Sequence, residues 1–164
     1  MSGLDEGRLE LIDGEVVEKV SPRWGHARIA LLLAQHLDAF GVLSVEPRAV
    51  IPETAARGPS APIPDVAFYA SAPLARDEWT SRPPGSAIKA LSPSQSRTEM
   101  RAKVDIYLSF GVHSVWFVDM ERESVDICEE GARVTLSGDA PIHSSVVPGL
   151  SLTVEALFAE ADRQ

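Results

Sequence analysis

One cysteine, Cys128, is all the sulfhydryl chemistry in 164 residues. A lone thiol cannot close a disulfide within the chain, and the common zinc centres built on several cysteines are excluded with it. Long apolar runs are missing too. No stretch approaches the ~20 residues needed to span a bilayer, and the amino end, MSGLDEGRLE, lacks the profile of a secretory signal. The expectation is a cytoplasmic protein that makes no membrane contact. Internal repeats and low-complexity segments are absent, and the length suits one domain, residues 1–164.

Positive charge is scarce overall. Fifteen Lys and Arg against 24 Asp and Glu leave a net charge of -9, which argues against loose attraction to nucleic acid or to an anionic membrane. The deficit is uneven. Residues 1–104 hold 12 basic and 13 acidic side chains, net -1, whereas residues 105–164 hold 3 and 11, net -8. Between residues 80 and 104 the balance turns positive, with Arg82, Lys89, Arg97, Arg101 and Lys103 against Glu99. A polyanion is therefore expected on the face built by the first two-thirds of the chain; the plain alternative is a solvated surface with no partner.

What is present is a clear alternation of strand and helix signals. Residues 9–12 and 16–20 are short apolar runs around Asp13-Gly14, a two-residue hairpin signal because both turn positions need positive φ. Ser21-Pro22 ends the second strand. From 25 to 40, Ile29, Leu32, Leu33, Leu37 and Phe40 recur at helical spacing, with Gly41 as the expected stop. Strands are expected at 42–45, 48–51 and 65–69, the last after a loop at 52–64 that is rich in proline. A further loop, with Pro73, Pro83, Pro84 and Gly85, leads on.

The stretch at 86–119 organises the rest: a buried strand near 87–91, a Ser-Pro-Ser turn, an amphipathic helix, a glycine and a second buried strand, SVWFV. Ser96 and Glu99 have capping-box spacing, Met100, Val104, Tyr107 and Leu108 line the apolar face, and Gly111 ends the helix. This is a strand–helix–strand crossover. Residues 125–128 and 133–136, around a turn at Glu130-Gly131, form an antiparallel pair at the sheet edge. Pro148-Gly149 is a turn, and Thr153 caps a last helix through Leu157 and Phe158. Together these elements specify one mixed α/β domain.

Several segments in this order resemble the Uma-two family of restriction-endonuclease-like proteins, a branch of the PD-(D/E)XK nuclease superfamily. They are ELIDGEVVE at 10–18, the helix beginning near His26, IPDVAFY at 63–69, ALSPS at 90–94, the Glu99, Lys103, Tyr107 spacing, Gly111-Val112, VWFVD at 115–119 and PGLSL at 148–152. The resemblance implies a restriction-endonuclease-like mixed central sheet flanked by helices, with an antiparallel edge meander. It implies Mg²⁺- or Mn²⁺-dependent hydrolysis of DNA phosphodiesters. Asp65 matches the metal-binding aspartate, and Lys103 a lysine on the helix after the second catalytic strand. Glu10 or Glu15, and His26 on the first helix, match positions able to complete an acidic site.

The chain departs from the family at a ligand position. The family's second strand reads Glu-Val-Leu-Ser-Pro-Ser, its Glu being the second metal ligand, whereas this chain has Lys89-Ala90-Leu91-Ser92-Pro93-Ser94. A carboxylate replaced by an ammonium changes the site by two units of charge and removes an oxygen ligand. The expectation is that Lys89 lies against Asp65 as an internal substitute for the ion, leaving an impaired endonuclease. The rival reading is a non-catalytic, nuclease-derived binding or regulatory module, and a homodimer through the edge pair is expected in either case.

Each residue also has a plain reading. Glu99 and Lys103 are spaced for a surface ion pair, and His26 suits a packed histidine on the helix side shared with Ile29, Ala30 and Leu33. Tyr107 suits a buried ring whose hydroxyl finds a partner. Ser92 has no base near it in sequence, so a serine nucleophile is rejected.

Overall fold

The computed structural model describes residues 8–19, 23–47, 58–71, 82–91 and 95–163. The Ser21-Pro22 strand end, the expected strand at 48–51, residues 52–57 of the proline-rich loop, Pro73 and the Ser-Pro-Ser turn at 92–94 lie outside those residues.

A hairpin comes first: β1 (Arg8–Ile12) and β2 (Glu15–Lys19) form a two-stranded antiparallel sheet of their own. Asp13 (φ 49°) and Gly14 (φ 83°) both take the left-handed conformation that the Asp-Gly signal requires. Helix α1 (Trp24–Leu37) follows, then β3 (Val42–Val45), β4 (Val66–Tyr69), β5 (Ser86–Ala90), α2 (Arg97–Phe110) and β6 (Ser114–Asp119). The chain closes with β7 (Ser124–Glu129), β8 (Ala132–Ser137) and α3 (Val154–Ala161).

The main sheet runs β3-β4-β5-β6-β7-β8. Only β5 and β6 pair in parallel, joined by α2, so the crossover read from residues 86–119 forms. The meander forms too, with Glu130 and Gly131 both at positive φ and β8 as the outer strand. On one face, Ile88 and Ala90 of β5 and Trp116 and Val118 of β6 pack against Ile29, Leu32, Leu33 and Leu37 of α1 and Leu157 and Phe158 of α3. On the other, Ala87, Val115 and Phe117 meet Met100 and Tyr107 of α2. The period-two alternation of a strand thus buries both sides of SVWFV, which is why that segment carries almost no polar group.

The ends of α2 and α3 follow their capping residues. Ser96 Oγ accepts from the Glu99 amide while Glu99 accepts from the Ser96 amide at 2.7 Å, and Gly111 (φ 100°) closes the helix. Thr153 accepts from the Ala156 amide to start α3.

Helix α1 departs from expectation at its end. It stops at Leu37, so Gly41 is not its cap and Phe40 leaves the apolar stripe to become partly exposed. Gly41 serves a different need: a Cβ there would lie 2.3 Å from the Tyr69 carbonyl oxygen and 2.8 Å from the Phe68 ring. The β3–β4 pairing requires that backbone approach. Gly41→Ala should therefore destabilise the fold by about 1–3 kcal/mol, the usual cost of overpacking, read as a lower urea midpoint with an unchanged m-value.

Candidate functional site

The antiparallel register of β4 and β5 pairs Val66 with Ile88, and the Asp65 amide donates to the Ile88 carbonyl at 2.9 Å. This brings Asp65, just before β4, beside the end of β5, where the Ala90 amide donates to Asp65 Oδ2 at 2.9 Å. Alternation along β5 sends Ile88 and Ala90 toward α1 and Lys89 with Ala87 toward α2, which carries Lys103. The hairpin register pairs Arg8 with Lys19 and Glu10 with Val17, so Glu10, Ile12, Val17 and Lys19 share one face. That face closes the cleft, a space of about 280 Å³ also lined by His26, Lys89 and Lys103.

Two carboxylates lie at the centre, Glu10 at 2% exposure and Asp65 at 4%. Asp65 Oδ1 accepts from Lys19 Nζ at 3.1 Å, and Lys19 also donates to Glu46 Oε1 at 3.0 Å. His26 Nε2 lies 2.8 Å from Asp65 Oδ2. The approach is close but poorly aligned, leaving both ring nitrogens of this buried histidine without a well-formed hydrogen bond among the described residues. Glu10 Oε1 accepts from the Ile63 amide at 2.8 Å and has Lys89 Nζ at 3.6 Å; Glu10 Oε2 accepts from Lys103 Nζ at 2.6 Å. Lys89, at 3% exposure, donates to the Ile63 carbonyl at 2.9 Å.

Burial would push both carboxyls up, but the surrounding cations outweigh it. For Asp65 the opposing influences are the His26 imidazole and the charges of Lys89 and Lys19, which hold it far below the usual carboxylate range. For Glu10 they are Lys89, Lys103 and the Ile63 amide, again with a net lowering. Burial dominates at Lys89, whose ammonium is pulled below its ordinary value despite Asp65 and Glu10. Tyr107 is raised well above the phenol range, first by burial and then by the nearby charges of Glu10 and Asp65.

Of the residues singled out from sequence, Asp65, Lys89, Lys103, Glu10 and His26 converge. Three pairings differ from expectation. Lys89 is not the direct partner of Asp65: it turns to Glu10 and the Ile63 carbonyl, and Lys19 takes the Asp65 contact. Lys103 bonds Glu10 rather than Glu99, whose carboxylate stays with Ser96 in the cap. Glu15 shares the inward parity of Lys19 but sits at the hairpin end, exposed. The Tyr107 hydroxyl is buried with no hydrogen-bond partner among the described residues.

Sequence reasoning missed Lys19 and Glu46. The signal for Lys19 was available: a two-residue turn fixes register, and register places Lys19 on the face of Glu10. Glu46 follows β3 at φ 50°, a conformation that nothing in its residue type announces.

The comparisons agree with this architecture. A family model described as "Putative restriction endonuclease", Uma2, matches residues 4–155. The chain belongs to the Uma2 family. A crystal structure described as "a putative nuclease belonging to DUF820 from Anabaena variabilis ATCC 29413" superposes with a TM-score of 0.80, covering 95% of this chain and 92% of that one at 21% identity. That likeness establishes the nuclease-like fold, a mixed six-stranded sheet with helices on both faces. No curated protein matches the sequence.

The motif resemblance implies a divalent ion at Asp65, and the donor set here does not suit one. Every oxygen of Glu10 and Asp65 is already approached by an N–H group or an ammonium. A lysine stands where the resemblance implies the second acid. Glu10, Glu46 and Asp65 balance Lys19, Lys89 and Lys103, so these six side chains sum to zero without an ion.

Two outcomes follow. The folded state holds protons on Asp65 and Glu10 only at a lower pH than the unfolded chain, whose carboxyls titrate near about 4. Acid therefore favours unfolding, and stability should fall as the pH drops below about 5, with Asp65→Asn flattening that acid limb in urea titrations between pH 7 and 3. Tyr107→Phe removes a buried hydroxyl that lacks a partner and should leave stability unchanged or raise it by up to about 1 kcal/mol, whereas loss of a hidden hydrogen bond would lower it.

Proposed function

We propose that this chain is a nuclease-family domain that has kept the DNA-endonuclease fold and lost its Mg²⁺-dependent cleavage, acting as a non-catalytic, DNA-directed binding or regulatory module. One observation carries the reading: ammonium groups, not carboxylates, complete the first sphere around Asp65 and Glu10. In-line phosphodiester hydrolysis by this class of enzyme relies on a cation that spreads the charge of the transition state and a water it activates. Protonated lysines hydrogen-bonded to the acids offer charge but no open coordination position.

DNA as the ligand class comes from the family. Among the five basic side chains between residues 80 and 104, Lys89 and Lys103 are committed to Glu10 and Arg82 precedes β5, leaving Arg97 and Arg101 exposed on α2. Exposed Glu18 and Glu99 line the cleft itself. Duplex contact thus belongs to the α2 surface rather than to the cleft, and its affinity should be modest and fall with salt.

The test is Lys89→Glu. It moves the cluster by two charge units, from zero to -2, and restores an oxygen ligand beside Glu10 and Asp65. The parent should leave supercoiled plasmid intact in Mg²⁺ or Mn²⁺, and Lys89→Glu combined with Lys19→Met, which also frees Asp65 from its ammonium, should bind Mn²⁺ by calorimetry and nick the plasmid. A parent that already nicks DNA, with the activity lost in Asp65→Ala, overturns the proposal.

A further inference from the structure

The residue filling the place of the ion is not the one that the altered motif advertises. Lys89 supplies charge at a distance, but its ammonium is spent on the Ile63 carbonyl at 2.9 Å and stands 3.6 Å from Glu10. The group lying between two carboxylates is Lys19 Nζ, 3.1 Å from Asp65 Oδ1 and 3.0 Å from Glu46 Oε1. Its side chain is 6% exposed, so this is an enclosed contact and not a surface pair. Beside it, the buried His26 ring holds Nε2 2.8 Å from the other oxygen of Asp65 with neither nitrogen well bonded. Two acids and an underused imidazole converge on one ammonium.

We infer that Lys19 is a built-in cation: it occupies the position between Asp65 and Glu46 that an ion would otherwise take, and it bars divalent metals from the site. The inference rests on the reading of this chain as a silenced nuclease and adds the residue that does the silencing. The geometry explains why exclusion is complete while Lys19 stays in place. Carboxylate oxygens about 3 Å from an ammonium must each close by roughly 1 Å to reach a metal at 2.0–2.2 Å, and the ammonium blocks that closure. Among the described residues no three acid or histidine side chains are now grouped tightly enough to ligate an ion.

The placement also gives the hairpin a role. Lys19 and Glu10 lie on adjacent strands of a sheet that is separate from the main one, and they reach opposite partners: Glu10 takes Lys89 and Lys103, Lys19 takes Asp65 and Glu46. A hairpin that delivers one acid and one base in this crossed pattern carries its own counter-charges into the site. Its backbone is pinned by Gly14 to Pro59 at 2.8 Å and Ala61 to Leu11 at 2.7 Å, which keeps the Lys19 stem on the cleft face.

The experiment is Lys19→Met, which keeps most of the stem and deletes the charge. The parent should show no Mn²⁺-induced shift in melting temperature and no Mn²⁺ binding by calorimetry. The variant should melt well below the parent in metal-free buffer and recover several degrees in millimolar Mn²⁺, with the recovery lost when His26→Ala is added. Lys19→Met/Glu46→Gln, which removes one charge of each sign, should melt closer to the parent and ignore Mn²⁺. A folded Lys19→Met protein blind to Mn²⁺ overturns the inference, as does a parent that binds the ion with Lys19 present. If Lys19→Met stays unfolded even in Mn²⁺, or the charge-balanced double variant also fails to fold, the role of Lys19 is packing and the inference falls. A metal-blind Lys19→Met beside an inert parent sinks this assignment alone, whereas cleavage by the parent sinks the functional reading beneath it.

Discussion

Two carboxylates almost wholly removed from water govern the arrangement around them. An ion buried alone costs several kcal/mol even after relaxation, so Glu10 and Asp65 can stay charged only where cations and amides are brought to them. Five separate parts of the chain do this: the hairpin supplies Lys19, α1 supplies His26, the segment before β4 supplies the Ile63 amide, β5 supplies Lys89 and the Ala90 amide, and α2 supplies Lys103. Each donor depends on an element whose position is set by the sheet or by the core beneath it. The pocket therefore reports the register of the whole fold.

The same balance decides what the cleft can hold. A divalent ion needs oxygen ligands and an excess of negative charge; an ammonium satisfies the charge but closes the coordination sphere. The sheet itself is held elsewhere, by Trp116, Phe68, Ile88 and the α1 and α3 contacts on one face and by Met100, Phe117 and Tyr107 on the other. Most of the apolar packing and the charged cluster thus draw on different residues. Tyr107 sits at the border between them, with its ring packed in the core and its hydroxyl unpartnered near the charged cluster.

Much of this was legible in the sequence, and for local reasons. Asp13-Gly14 dictates a tight hairpin, Ser96 and Glu99 dictate a helix start, Gly111 dictates its end, and the uninterrupted apolar run at Ser114–Asp119 dictates a strand covered on both sides. The convergence of Asp65 and Lys89 followed from adjacent strands. The end of α1 misled because Gly41 looks like a helix stop from sequence alone; its real constraint, the Tyr69 carbonyl, lies 28 residues away along the chain.

Which charges pair was beyond the sequence. Lys89, Lys103, Lys19 and Glu46 are all ordinary charged residues in a one-dimensional reading; spacing along the chain recommended Glu99 for Lys103, and the family resemblance recommended Asp65 for Lys89. Partner choice among buried ions is set by distances of a few tenths of an ångström and by who else is present, and those come from the docking of the hairpin onto β4, β5 and α2. Residue types and their local order determined the elements and the family. Only the tertiary structure decided which lysines would neutralise the buried acids, because electrostatic pairing is a property of positions in space and not of neighbours in sequence.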